Sequence, residues 1–298
     1  MVKKLVELVD IAKEKSKKVL SVAVAQDEEV LKAVTEAVKL GIIDAILVGD
    51  KKSIVDILER ENLHKNNIEI VNEKDPSKAA AAAVKLVSEG KAQFIMKGML
   101  KTAEMLKAVL NKETGLRKSK LLSHVMIYEV PAYHKLLFLT DGGMLTYPNL
   151  EEKIGIIKNA VFVANRLGIT LPKVAAISAV EVVNAHMQST LDAAVLAQMN
   201  KRGQIGGCIV DGPLALDVAV SKTSAEHKKI TSEVAGDVDI LLVPNIEAGN
   251  LLGKSMTYFA GAENAGIIVG AKCPVVLVSR TNSAMSKLYS IALGSVVS

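Results

Sequence analysis

Hydrophobic and polar positions along this chain follow a regular succession of helical and strand periods. Leu5, Leu8, Val9 and Ala12 recur at helical spacing and predict a first amphipathic helix. Val19 to Ala25 reads as a strand, Glu28 to Leu40 as a helix, and Asp44 to Val48 as a strand ending at Gly49-Asp50. Lys51 to Glu61 is helical, Ile68 to Val71 is a short strand, and the alanine-rich Lys78 to Ser88 is a helix on propensity alone. Phe94-Ile95-Met96 leads to Lys97-Gly98, after which Thr102 is placed to cap a helix carrying Met105, Leu106, Val109 and Leu110. This alternation predicts an α/β fold, a mostly parallel sheet with helices on both faces.

The rhythm changes near residue 120. Leu121 to Val130 and Lys135 to Thr140 are consecutive strands joined by Pro131-Ala132-Tyr133-His134, so a hairpin interrupts the βα pattern. Asn149 and Glu152 have the spacing of a capping box, and Leu150, Ile154, Ile157, Val161 and Ala164 line one face of the helix that follows. Strands return at Val174 to Ile177, Cys208 to Val210 and Val238 to Val243. The pattern therefore predicts two α/β lobes: a discontinuous one from residues 1–126 and 268–298, and a second from 127–267.

The chain closes on Val275 to Val278, a β-branched run opened by Pro274 that reads as a buried parallel strand. It gives way to Ser279-Arg280, then to the capping residues Thr281-Asn282-Ser283, then to a helix marked by Met285, Leu288 and Ala292 and predicted to stop at Gly294. An arginine at the passage from strand to helix stands at the carboxyl edge of a sheet. Open α/β folds bind ligands at that edge, and helix N–H groups there favour anions.

Composition narrows the chemistry. Half of the residues are hydrophobic, but with four Phe, five Tyr and no Trp the core must be aliphatic. The net charge of +5 suits an acidic small molecule, and no clustered basic face with aromatics points to nucleic acid. Cys208 and Cys273 have neither ligand nor disulfide-framework spacing, which predicts a reducing compartment. No signal-peptide pattern opens the chain and no apolar run reaches membrane-spanning length, so a soluble cytoplasmic protein without membrane attachment is expected. The five histidines are scattered, with no metal-ligand spacing, and neither a G-x-S-x-G elbow nor a G-x-G-x-x-G fingerprint occurs.

Gly249 to Ser255 ends in Gly-Lys-Ser as a phosphate loop does, but Ala248 stands where that motif needs glycine. Lys254 reads equally as a phosphate-holding cation and as a solvated helix-start lysine. Of five arginines, Arg60 and Arg166 sit at predicted helix ends and Arg202 in a polar loop. Arg117, after Thr114-Gly115-Leu116, and Arg280, after a strand, are expected on loops facing the sheet's carboxyl edge. Arg280 favours an anion role through its planar fork of donors, and Arg117 is balanced between that role and surface decoration.

Several segments resemble the phosphate acetyl/butyryl transferase family, its butyryl branch most closely. They are Met96-Lys97-Gly98 through Thr102; Gly115-Leu116-Arg117 with Leu122-Ser123-His124-Val125; and Thr140-Asp141-Gly142-Gly143. Further on come Ser178 to Asn184, Asp211 to Asp217, Ile246-Glu247-Ala248-Gly249-Asn250 with Lys254, and Val278-Ser279-Arg280. The likeness spans most of the chain from residue 96 onward, while the N-terminal quarter matches in rhythm alone.

The resemblance implies a two-lobe fold similar to isocitrate and isopropylmalate dehydrogenases, with a site in the cleft between lobes. It implies the reversible reaction of acyl-CoA with inorganic phosphate to give acyl phosphate and CoA, with CoA a substrate and no resident cofactor or metal. Ser279 and Arg280 become the expected catalytic pair. Lys254, Asn250, Arg117, Lys97 and Thr102 become substrate-binding residues, and a homodimer or larger homo-oligomer is expected. Gly142 stands where some acetyl enzymes carry a cysteine, so no cysteine acyl carrier is expected there.

This chain departs from the family pattern at the base. Acetyl members carry an aspartate six residues after the arginine, where Ser286 stands, and butyryl members an acidic residue two after it, where Asn282 stands. Asn245 also replaces a common aspartate. The proton acceptor stays open among bound phosphate, Asp141, Glu181 and Asp211. Three alternatives accompany the butyryl reading: a phosphate acetyltransferase, a decarboxylating dehydrogenase on the same scaffold, and a catalytically impaired CoA-binding homologue.

Overall fold

The βα succession read from the hydrophobic pattern is present in the structure, a computed structural model describing residues 2–119, 121–279 and 281–298. Two units share the chain. One is split, Leu5–Lys120 with Ala265–Ser298; the other, Leu121–Asn264 with Met1–Lys4, is inserted into it. The sequence rhythm puts the breaks at 126/127 and 267/268. The first lies earlier in the structure because both strands of the hairpin stay together.

The split unit opens with α1 (Leu5–Glu14), β1 (Lys18–Ala23), α2 (Glu28–Lys39), β2 (Ile43–Gly49), α3 (Lys51–Arg60), β3 (Ile68–Asn72), α4 (Pro76–Ser88), β4 (Phe94–Lys97) and α5 (Thr102–Val109). The inserted unit holds β5 (Ser123–Glu129), β6 (Leu137–Thr140), α6 (Leu150–Arg166), β7 (Lys173–Ile177), α7 (Gln188–Lys201), β8 (Ile209–Leu214), α8 (Leu216–Val220), α9 (Lys222–His227), β9 (Ile240–Leu242) and α10 (Ile246–Tyr258). The chain returns through β10 (Glu263–Val269), β11 (Val275–Val276) and α11 (Ala284–Val297).

In the split unit the strand order is β3-β2-β1-β4-β11-β10. All pairs are parallel except β10 with β11. In the inserted unit the order is β5-β6-β9-β7-β8, antiparallel only in the β5–β6 hairpin. Strands such as β1 and β2 are buried almost throughout, as expected of sheets covered on both faces. α4 packs on one side, where Ser21 Oγ donates to the Ala83 carbonyl, while α1, α2 and α11 pack together.

Helix starts follow from side-chain chemistry. Asp27, Asp50 and Asp75 accept backbone N–H bonds from Val30, Lys52 and Lys78 and so cap α2, α3 and α4. Asn149 and Glu152 form the reciprocal capping box expected of them, at 3.0 and 2.8 Å. Thr102, expected as a cap, is instead the first helical residue of α5. Lys101 occupies the cap position, and its N–H donates to Glu104 Oε2 at 3.1 Å.

Near the C-terminus one strand is added to the sequence expectation and one helix end is corrected. The antiparallel strand β10 was not legible, because Ala265-Gly266-Ile267-Ile268-Val269 is a short apolar run without period. Gly294 does not stop α11, which continues to Val297. A Cβ at Gly294 would lie 2.9 Å from the Phe94 ring and from Val276 Cγ2, so this glycine serves a close helix-to-sheet approach. Both cysteines are buried, and burial pushes their thiols up to about 11 for Cys208 and about 12 for Cys273. Among the described residues, no helix is long and apolar enough to cross a membrane.

Candidate functional site

Parallel pairing brings several of the expected residues to one edge of the split unit. Val275 pairs with Ile95 and Val276 with Met96, so Lys97 and the segment entering Ser279 leave the sheet side by side at its carboxyl edge. β1 ends beside them, with Ala23 opposite Lys97. Val24 follows with φ of 54°, an unusual left-handed conformation for a β-branched residue. Its carbonyl accepts the Met99 N–H at 2.7 Å, and a Cβ at Gly98 would lie 2.2 Å from that oxygen, so only glycine fits there.

Lys97 is buried to 7% exposure, and its ammonium donates to the carbonyls of Gly98 and Leu100 at 3.3 and 3.2 Å. It therefore braces the loop that leads into Thr102 and α5. Ser279 is exposed, with its hydroxyl 2.9 Å from Thr281 Oγ1, and its carbonyl accepts the Asn282 N–H at 3.1 Å. Arg280 lies outside the described residues.

Asn282 and Ser286, which replace the carboxylates of the family pattern, are hydrogen-bonded to one another: Asn282 Nδ2 donates to Ser286 Oγ at 2.8 Å. Ser283 caps α11 by accepting the Ser286 N–H, and the Ala284 N–H donates to Glu29 Oε2 at 2.9 Å. Lys287 is 2% exposed and donates to the Asn282 carbonyl. Burial holds its pKa below the ordinary lysine value, opposed by the charges of Asp27 and Glu29. The reading of the sequence passed over Lys287. A lysine beside the mostly apolar, all-round buried run Leu288–Val297 was the available signal.

Arg117 is not part of this edge. It is exposed and pairs with Ala271 in the turn between β10 and β11. Because β10 is antiparallel, that turn lies at the amino end of β11, the edge opposite Ser279. The expectation that the Arg117 loop faces the carboxyl edge is thereby corrected.

In the inserted unit, Asn250 and Lys254 are both exposed and sit one turn apart on α10. Lys254 is mid-helix rather than at a helix start, since Asn245 caps α10 by accepting the Ala248 N–H at 2.9 Å. The segment that imitates a phosphate loop is thus helical. Its glycines serve packing: a Cβ at Gly249 would lie 2.6 Å from Gly142 Cα, and one at Gly253 would lie 2.4 Å from Tyr128 Oη. The glycine face is buried on β5 and β6, which leaves the Asn250–Lys254 face open. Burial keeps the Tyr128 phenol protonated, with its pKa pushed well up.

This contact is testable. Gly253→Ala should destabilise the fold by about 1–3 kcal/mol through overpacking, and adding Tyr128→Phe should restore at least half of that loss. Denaturant unfolding of the two single variants and the double variant measures the coupling. Strict additivity would show that the phenol is not what the new methyl meets.

Of the three carboxylates considered as a base, Asp141 is 1% exposed and accepts the backbone N–H groups of His124, Gly143 and Met144 at 2.8–3.1 Å. Burial pushes its pKa up, while His124 and those three donors oppose the shift. Glu181 pairs with Lys228 at 2.8 Å, and Asp211 accepts the Gly212 N–H at 2.8 Å. Asp141 thus shapes the loop after β6. A further buried pair, Lys153 with Asp192 at 2.5 Å, borders a small cavity beside Ile177, Leu242 and Pro244 and was not anticipated.

Mostly parallel α/β strands with polar groups gathered at a carboxyl edge and on the helix that follows β9 place this chain in the class of α/β proteins that bind ligands beyond the ends of their strands. The chain belongs to the phosphate acetyl/butyryl transferase family: a family model described as phosphate acetyl/butaryl transferase matches residues 3–81 and 73–295. The chain is 54% identical over 297 residues to the phosphate butyryltransferase of Clostridium acetobutylicum, covering 100% of this chain and 99% of that protein. It is 44% identical over 290 residues to the phosphate acetyltransferase of Thermotoga maritima, covering 97% of this chain and 98% of that protein. Among solved structures it is similar to a branched-chain phosphotransacylase from Enterococcus faecalis, with 36% identity and a TM-score of 0.83. That match covers 94% of this chain and 99% of the other.

Proposed function

We propose that this chain is an acyltransferase that moves a short acyl group, butyryl favoured, between coenzyme A and inorganic phosphate. The observation that carries this reading is end-to-end similarity, at 54% identity, to a relative named phosphate butyryltransferase. A phosphate oxygen attacks the thioester carbonyl, a C–O bond forms, the C–S bond breaks, and the departing CoA sulfur takes up a proton. The reverse reaction regenerates acyl-CoA. CoA and its thioester are substrates, and no resident cofactor or metal is required.

The attack draws anions together and builds negative charge on the carbonyl oxygen, so donors and cations already in position lower its cost. Arg280 stabilises that oxyanion or the phosphate, and Ser279 orients them by hydrogen bonding. Lys254 neutralises phosphate, with Asn250 one turn before it. Lys97 and Thr102 serve binding through the loop between them. Arg117, at the other sheet edge, suits the phosphates that CoA carries at the far end of an extended arm.

No covalent intermediate is needed. Gly142 offers no nucleophile, and the raised thiol pKa values of Cys208 and Cys273 argue against either as an acyl carrier. With Asn282 and Ser286 bonded to each other, phosphate itself is the favoured partner for this proton. It gives the proton to the departing sulfur in the direction written, and the phosphate released in the reverse reaction takes it from the CoA thiol. We further infer a scaffold similar to isocitrate and isopropylmalate dehydrogenases, a homodimer or larger homo-oligomer, and a cytoplasmic setting.

A chain-length series tests the function. CoA release should require phosphate, and kcat/KM should be higher for butyryl-CoA than for acetyl-CoA. The opposite order would assign a phosphate acetyltransferase, the activity named for the Thermotoga relative. Binding of butyryl-CoA without phosphate-dependent turnover would instead fit an impaired homologue, the alternative to which Asn282 and Ser286 lend weight.

A further inference from the structure

Behind the turn from Ser279 to Asn282 sits a buried cation that the reaction as described does not use. An ammonium withdrawn from water is costly unless it is paired and hydrogen-bonded. A methionine or leucine would fill the same place without that cost. Lys287 nevertheless occupies it, 2% exposed, donating to the Asn282 carbonyl and attracted by the carboxylates of Asp27 and Glu29.

That bond does little for the helix itself. Ser283 already caps α11, and Glu29 accepts the Ala284 N–H. It acts one residue upstream, on a turn also closed by the Asn282 N–H to the Ser279 carbonyl at 3.1 Å. The Asn282 side chain is tied to Ser286 at 2.8 Å. Asn282 is therefore held through its N–H, its carbonyl and its side chain, and Lys287 supplies the charged member of the three.

We propose that Lys287 is a positioning residue for the acyl transfer: by holding the Asn282 carbonyl, whose residue bonds back through its N–H to the Ser279 carbonyl, it fixes Ser279 where it meets the substrate. The proposal rests on the acyltransferase reading above. Lys287 itself touches no reacting atom. Its effect falls on kcat, because a turn displaced by even about 1 Å forfeits transition-state contacts worth up to about 100-fold.

The experiment compares wild type with Lys287→Met and Lys287→Arg in the full chain. Steady-state CoA release from butyryl-CoA and phosphate is combined with amide hydrogen exchange over residues 277–284. In Lys287→Met, kcat should fall by about 10- to 100-fold, with a smaller change in the KM for butyryl-CoA and faster exchange in the turn. Lys287→Arg, which retains the charge, should recover much of kcat. A lowered melting temperature with kcat and turn exchange at wild-type levels would overturn the proposal, since that is all a purely structural lysine would give. If Lys287→Met does not fold, Lys287→Gln carries the same two readouts. If wild type itself shows no phosphate-dependent release, the acyltransferase reading fails. The exchange comparison then decides alone whether Lys287 fastens the turn.

Discussion

Arg280→Gln should lower phosphate-dependent CoA release by about 10²–10³-fold, roughly 3–4 kcal/mol of transition-state stabilisation. The expectation follows from charge. Phosphate already carries negative charge when it reaches the thioester, and more appears on the carbonyl oxygen as the C–O bond forms. A guanidinium meets both with a fixed fork of N–H donors, whereas glutamine keeps polarity but neither the charge nor the bidentate geometry. Ser279, its chain neighbour, is exposed at the carboxyl edge, where a substrate can reach it. Arg60→Gln is the control for a lost arginine. Arg60 is exposed and pairs only with Glu28 and Glu61 among the described residues, so its loss should leave activity within about twofold. An Arg280→Gln enzyme within a few-fold of wild type would remove the arginine from the chemistry.

Gly249→Ala should destabilise the fold even though it replaces a helix-interior glycine with the best helix former. Propensity alone favours the substitution by about 1 kcal/mol. Packing opposes it more strongly. The new methyl would lie 2.6 Å from Gly142 Cα and 2.7 Å from Val243 Cγ2, and the nearer of these is backbone that cannot rotate away. Overpacking of this kind costs about 1–3 kcal/mol, occasionally more, so the net change should be a loss of up to about 2 kcal/mol. Activity should fall as well, because any shift of α10 off β6 carries Asn250 and Lys254 with it. Gly206→Ala is the counterpart, with nothing within 4 Å of its Cβ, and it should change stability by no more than about 0.5 kcal/mol. Thermal or denaturant unfolding of both variants decides. A stabilised Gly249→Ala would mean that propensity outweighs the contact.

The two glycines of α10 also show where legibility ended. Gly249, Gly253, Lys254 and Ser255 looked like a damaged phosphate loop because one-dimensional spacing cannot distinguish a glycine that frees a loop from one that admits a neighbouring backbone. Gly294 raised the same ambiguity and was read as a helix stop. In each case the partner, Gly142, Tyr128 or Phe94, is more than a hundred residues away in sequence. Thr102 was misjudged for a smaller reason: Glu104 satisfies the orphan N–H of Lys101, so no hydroxyl cap was needed.

Local chemistry alone determined much about this protein. Aliphatic runs at strand length, helical periods between them and an Asp, Asn or Ser before most helices are sufficient for an α/β chain with mostly parallel strands. The ordered motifs from residue 96 onward were sufficient for its family. Only the tertiary structure decided which motif residues share an edge, because that depends on strand direction and order. Parallel pairing of β4 with β11 sets Lys97 beside the path to Ser279, and the antiparallel β10 carries the Arg117 segment to the far edge. The tertiary structure likewise decided that Asp141 is spent on three backbone N–H groups and that Lys287 is buried. Burial and hydrogen-bond partners are properties of the packed chain, which the spacing of residues along it does not encode.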